Sequence, residues 1–177
     1  MQTIHRIDNY RSFWRDIVTP DYNDFMNQRE DLRRAFHCAI SLFHMADWVY
    51  LTHKAFIDAQ FTFVDKNGTQ QRVQDEKMFA NAVRDLHSEF ELIRGIANSA
   101  KHLEIRRGKH PASPTNAANT SSQSSDWDQA EWDVDPWNGR GVILAGPGGN
   151  DYKVTALADS TYKMWSSLCR QHGWPLS

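Results

Sequence analysis

The chain has 177 residues, 40% of them hydrophobic and 24% charged, enough for one soluble domain whose core needs neither a disulfide nor a metal. Lys+Arg 20 against Asp+Glu 22 leaves a formal charge of -2. That excludes nucleic-acid binding by bulk positive charge, so any such role must come from a local patch. No stretch approaches the ~20 apolar residues of a spanning helix, and the opening MQTIHRIDNYRSFW carries no apolar run of signal-peptide length. The expectation is a cytoplasmic protein without membrane contact.

Taken in chain order, Asp8 can cap a short helix with Tyr10, Phe13, Trp14, Ile17 and Val18 as its apolar positions, ended by Pro20. Thr19-Pro20 can start a further helical turn through Phe25 and Met26. A strong helix is predicted from Glu30 to Gln60, where Leu32, Phe36, Ile40 and Phe43 recur at three- and four-residue steps. Lys66-Asn67-Gly68 marks a turn. A second strong helix is predicted from Asp75 to Ile105, with Phe79, Val83, Leu86, Phe90, Ile93 and Ala97 on one face. Each would be about 45 Å long, and the two must pack antiparallel to bury those faces. Cys38 and Cys169 fall within helical patterns, without a CxxC pair, and read as small buried hydrophobes.

From Arg107 to Gly139 the composition changes. PASPTNAANTSSQSS is polar and low in complexity and cannot support a core. It leads into DWDQAEWDVDPW, where Trp127, Trp132 and Trp137 alternate with acids. Next, GVILA, GPGGN and DYKVTAL read as a β-hairpin with a Gly-rich turn. A closing helix follows from Ala158 to His172, carrying Tyr162, Trp165 and Leu168, with Gly173 as its stop and Pro175 beyond. The expected fold is mainly α: a long antiparallel helix pair in a four-helix-type bundle, with a C-terminal β-hairpin and closing helix. Residues 1–106 would form the helical bundle, 107–139 an acidic, tryptophan-bearing loop, and 140–177 a segment packing on the same domain.

Polar residues interrupt the apolar faces. On helical spacing Asp47 falls near the middle of the Phe36, Ile40, Phe43 stripe, where an ionised carboxylate is costly unless paired or facing a wet cleft. His37 and His44 lie to one side of it. His87, Glu91, Arg94, Asn98 and His102 step along one side of the second helix, with Lys101 adjacent. If the two edges meet, Asp47 and His44 confront Asn98, Lys101 and His102, a set suited to acid–base chemistry or phosphate recognition. The alternative for each residue is a solvated flank or a satisfied structural polar group. Neither HExxH nor a Glu-x-x-His pair is present, so no metal and no cofactor is expected. Arg106, Arg107 and Lys109 either form a phosphate-contacting rim beside His102 or complement the end of a helix dipole. Trp127, Trp132 and Trp137 either dock a protein partner or fold back on the bundle.

The stretch ANSAKH (Ala97 to His102), on a helix partnered by AFHCAISLFHMADWVY (Ala35 to Tyr50), resembles small uncharacterised bacterial helical proteins. More distantly it is similar to the HEPN superfamily (higher eukaryotes and prokaryotes nucleotide-binding), all-α bundles of toxin–antitoxin, abortive-infection and phage-defence systems. The resemblance spans residues 30–105. Active members carry an Arg, often followed by Asn, then a His about one turn later, and dimerise into a composite, metal-independent ribonuclease site. Asn98 and His102 match that Asn and His, whereas Ala97 stands at the Arg position and Arg94 lies a turn earlier. The resemblance implies a homodimeric ribonuclease or toxin-type effector acting on RNA. His102 would be its acid or base, Arg94 or Lys101 the phosphate partner, Asn98 and Asp47 the orienters, and His44 a second proton-transfer group. The residues equally allow a non-catalytic helical module that binds a protein partner or a nucleotide.

Overall fold

A computed structural model describes residues 6–100, 119–123, 141–145 and 150–176. The fold is mainly helical, with small antiparallel sheets. A continuous helical run opens it: α1 (Tyr10–Phe13), a π-helical turn (Trp14–Val18) and α2 (Thr19–Asn27). Asn9, rather than the expected Asp8, caps this run, its side chain accepting from the backbone N–H groups of Arg11 and Ser12 at 2.9 and 3.0 Å. Pro20 does not end the helix. It sits at the first turn of α2, where its missing N–H costs nothing.

The long helix α3 (Leu32–Gln60) begins at Asp31, whose carboxylate accepts from the Arg34 backbone N–H at 3.1 Å. It bends at His53, where φ -115° and ψ 23° leave the helical region. Next come β1 (Thr62–Val64) and β2 (Gln70–Arg72), paired antiparallel around the expected turn. Asp65 Oδ1 there accepts from the backbone of Asn67 and Thr69, and Gly68 takes φ 78°.

The second long helix of the sequence reading is two helices, α4 (Glu76–Leu86) and α5 (Glu89–Ser99). His87 takes an extended conformation between them, φ -149° and ψ 95°. Its Nε2 lies 3.2 Å from Ser160 Oγ, and the Ser160 hydroxyl also donates to Glu89. These bonds to another helix give the break partners that a continued α-helix would not supply. The ring contacts Tyr50–Phe79 and Phe43–Phe90, at 6.2 and 5.9 Å, show α4 and α5 running back along α3.

Towards the C-terminus, β3 (Thr120–Gln123), β4 (Gly141–Ala145) and β5 (Asp151–Lys153) form a sheet in the order β3-β4-β5. The β4–β5 hairpin pairs Ile143 with Lys153 and Leu144 with Tyr152. Strand β3 corrects the expectation of a structureless polar segment: Thr120 pairs with Leu144 and is itself buried. The strand is held further by the Ser122 hydroxyl donating to the Glu30 carbonyl at 2.8 Å. Helix α6 (Val154–Gln171) starts four residues earlier than expected, so Val154 to Leu157 are helical rather than strand. It ends at Gly173, φ 68°, where Trp174 N–H reaches the Cys169 carbonyl at 2.8 Å in a Schellman turn.

The core gathers around Trp165, fully buried on α6, whose indole N–H donates to the Leu42 carbonyl of α3 at 2.9 Å. Its ring meets Phe79 and Phe90 at 6.4 and 5.9 Å. On the far side Tyr162 stacks on Trp14 and Tyr22, and the Tyr22 hydroxyl donates to Asp159. Burial and that neighbouring carboxylate push the Tyr22 phenol up to about 12. Cys38 and Cys169 are buried and free, and burial raises both thiols. No helix among the described residues is long and apolar enough to cross a membrane.

Candidate functional site

Along the face where α1, the π turn and α2 meet α3 lies an open groove of about 450 Å³, lined by Phe13, Ile17, Asp21, His37, Ile40, Ser41, His44 and Trp48. Both walls follow from helical spacing. Phe13, Ile17 and Asp21 recur every four residues, and the π turn between Phe13 and Thr19 keeps them on the side facing α3. His37, Ser41, His44 and Trp48 likewise share one side of α3. Phe13 and Trp48 stack across the boundary at 5.0 Å, closing one end of the groove with apolar surface.

The polar lining is one acid, two imidazoles and one hydroxyl. His44 Nδ1 lies 2.7 Å from Asp47 Oδ2, which orients the ring; in its neutral form Nδ1–H donates to that carboxylate and Nε2 is an acceptor. His44 lines the groove, whereas Asp47 does not. Asp21 is a half-buried carboxylate whose pKa is raised, first by burial and less by Asp24, against the opposing pull of the Ser41 hydroxyl and His37. Ser41 holds a single hydroxyl proton, also within reach of the Cys38 carbonyl at 3.1 Å, so Asp21 gets at most part of it. Among the described residues no Arg or Lys side chain forms an ion pair with Asp21.

Asp47 is not buried in the apolar stripe: its side chain is 37% exposed and its partner is His44. The buried line of α3 runs instead through Ala35, Cys38, Ala39, Leu42, Met45, Ala46 and Val49, with Phe36, Ile40 and Phe43 only partly covered. Arg94 reaches neither Asp47 nor His44. Its guanidinium holds Glu91 at 2.6 Å and Asn81 at 2.9 Å, in a pair whose side chains are 16% and 7% exposed. Asn98 is half-buried near the end of α5.

Among the described residues, Asp47 and Asn98 do not meet. With Phe43 against Phe90, Asn98 sits roughly 12 Å along the axis towards the start of α3, and Asp47 roughly 6 Å the other way, so about 18 Å separates their levels. The expected polar row on the second helix is also interrupted, because His87 stands in the break. Lys101, His102, Arg106, Arg107, Lys109, Trp127, Trp132 and Trp137 lie outside the described residues.

Asp21, Ser41 and Trp48 are site residues that the sequence reading did not select. The signal for Asp21 was its four-residue spacing from Ile17 and Phe13, hidden by treating Pro20 as a helix end. Among the described residues no three His, Cys, Asp or Glu side chains come close enough to hold a metal ion. Chemically, the groove offers an oriented imidazole, a carboxylate whose neighbours are His37 and Ser41, and an aromatic wall.

These features define a mainly helical protein with an acid- and imidazole-lined groove between its N-terminal helical run and its long helix. Among known proteins, no family model, no curated protein and no solved structure matches the chain.

Proposed function

We propose that this chain is a non-catalytic helical module that takes its ligand in the groove between the α1–α2 run and α3. Asp21, His37 and His44 would be its polar contacts and Trp48 its apolar contact. The observation that carries this reading is the engagement of Arg94 away from the His44–Asp47 pair. Arg94 is committed to Glu91 and Asn81, while the His44–Asp47 pair borders a separate, open groove. An acid–base ribonuclease needs its proton-transfer and phosphate-binding groups within contact distance of one scissile bond, and Arg94, bound to Glu91 and Asn81, has no bond to His44 or Asp47 among the described residues.

A second reading, a HEPN-like metal-independent ribonuclease or toxin-type defence effector, draws support from Asn98, half-buried at the end of α5 and one turn before His102. In that reading the chain is a cytoplasmic homodimer built on a four-helix-type bundle, and His102 of two copies forms the site. Arg106, Arg107 and Lys109 would bind RNA phosphates, and the Trp127–Trp137 segment would hold a protein partner.

One assay separates the two. Mixed-sequence RNA is incubated with an excess of protein in EDTA, comparing wild type with His102→Ala and His44→Ala. The expected result is intact RNA in all three. Cleavage by wild type that His102→Ala abolishes would overturn the binding-module reading in favour of the ribonuclease. Cleavage that only His44→Ala abolishes would make the groove itself catalytic.

A further inference from the structure

The groove's chemistry is unbalanced in one direction. Its polar lining is Asp21, His37, Ser41 and His44, and it contains no Arg, Lys, Asn or Gln. Asp21 brings a carboxylate into partly apolar surroundings without an ion pair among the described residues. In its neutral form His44 donates its Nδ1–H to Asp47 at 2.7 Å and offers Nε2 as an acceptor. On the helices that form the groove, Arg34 is engaged with Asp31 at 3.1 Å and Arg15 with Asp16 at 2.7 Å. A phosphate or carboxylate ligand would therefore find no permanent cation among the described lining residues and would face the Asp21 carboxylate.

A ligand rich in N–H donors and positively charged meets the opposite situation. Its permanent charge gives Asp21 a stronger counterion than the His37 imidazole beside it, and its N–H groups fill the carboxylate oxygens and the Nε2 of neutral His44. A flat apolar portion can then lie on Phe13, Ile17 and the Trp48 ring, where a cation also gains from the indole face. The volume of about 450 Å³ suits a small organic molecule rather than a bare ion.

Resting on the reading of this groove as a ligand site, we propose that its ligand is a small planar organic cation, an amidinium or guanidinium attached to an apolar group. Asp21 binds the charged fork and Trp48 packs on the apolar part.

The test is a titration of the full chain with benzamidine, neutral benzamide and anionic benzoate, followed in ¹H–¹⁵N spectra. The indole N–H of Trp48 is the reporter, assigned by its disappearance in Trp48→Phe. The expected result is saturable movement of that signal with benzamidine, at least roughly tenfold tighter than with benzamide and absent with benzoate. Asp21→Asn, close in shape to the wild type and checked for an otherwise unchanged spectrum, should weaken benzamidine by about tenfold or more while leaving benzamide unaffected. Equal binding of benzamide or benzoate at Trp48, or benzamidine binding indifferent to Asp21→Asn, would overturn the cation inference and leave the groove as a ligand site. Failure of all three probes to move the Trp48 signal would overturn both.

Discussion

A carboxylate half-sunk among Phe13, Ile17 and Ile40, with no Arg or Lys paired to it, weakens the folded state whenever it is ionised. Because the folded pKa of Asp21 is raised above 3.8, its favourable contribution is complete below the unfolded value and is lost as pH rises through the folded value. Asp21→Asn imitates the protonated form. The variant should therefore gain stability over wild type as pH climbs from about 4 to about 7, read as a growing difference in urea midpoints. A difference that is flat with pH would mean that Asp21 is not held in this environment. Such a stability cost at a ligand-binding residue is a common trade-off. Arg94 behaves in the opposite sense. Arg94→Met removes the guanidinium that pairs with Glu91 and bonds Asn81 in a largely buried site and should cost about 3 kcal/mol. Adding Glu91→Gln should recover part of that loss, and urea unfolding of both variants checks it.

Among the elements, the α4–α5 junction is held from outside itself. Apolar positions keep their helical phase across residues 87–88, from Phe79 and Val83 to Phe90 and Ile93, with no Gly or Pro to announce an interruption. The interruption exists because His87 and Glu89 meet Ser160 of α6, a contact of high sequence separation that no local pattern encodes. Ser160→Ala should cost about 1 kcal/mol and speed amide exchange at His87 to Phe90, whose turn bonds stand at this junction. Unchanged exchange would place the cause of the break elsewhere. Strand β3 shows a similar dependence: Thr120-Ser121-Ser122-Gln123 has no hydrophobic residue, and becomes a strand by pairing along the open edge of β4. The β4–β5 hairpin and the Gly173 stop were legible, because alternating Val142 and Leu144 and a left-handed glycine are local signals.

At the scale of the molecule, Trp165 joins α6 to the other main helices: its N–H is bonded to α3 and its ring touches Phe79 of α4 and Phe90 of α5. Trp165→Ala removes a wholly buried side chain and should cost about 3–5 kcal/mol. Thermal unfolding followed by circular dichroism would show whether the helices still melt together. A small, local effect would contradict its central place. Helix direction is set at the same scale. The run of α4 and α5 back along α3 fixes the axial register that keeps Asn98 and Asp47 roughly 18 Å apart in level.

By itself the sequence determined a mainly helical chain, the extent of α3 and the closing helix with its glycine stop, because each depends on spacing within a few residues. Which side of α3 is innermost was decided only in three dimensions. Large residues such as Phe36 and Phe43 suggested the centre of the stripe, but the close approach of helices selected the small line Ala35, Cys38, Ala39 and Ala46 and moved Asp47 to the margin. The groove, too, belongs to the tertiary structure. Asp21 and Trp48 are neighbours only because a π turn and antiparallel packing bring α2 alongside α3, and an ion partner or its lack cannot be read from one strand of sequence.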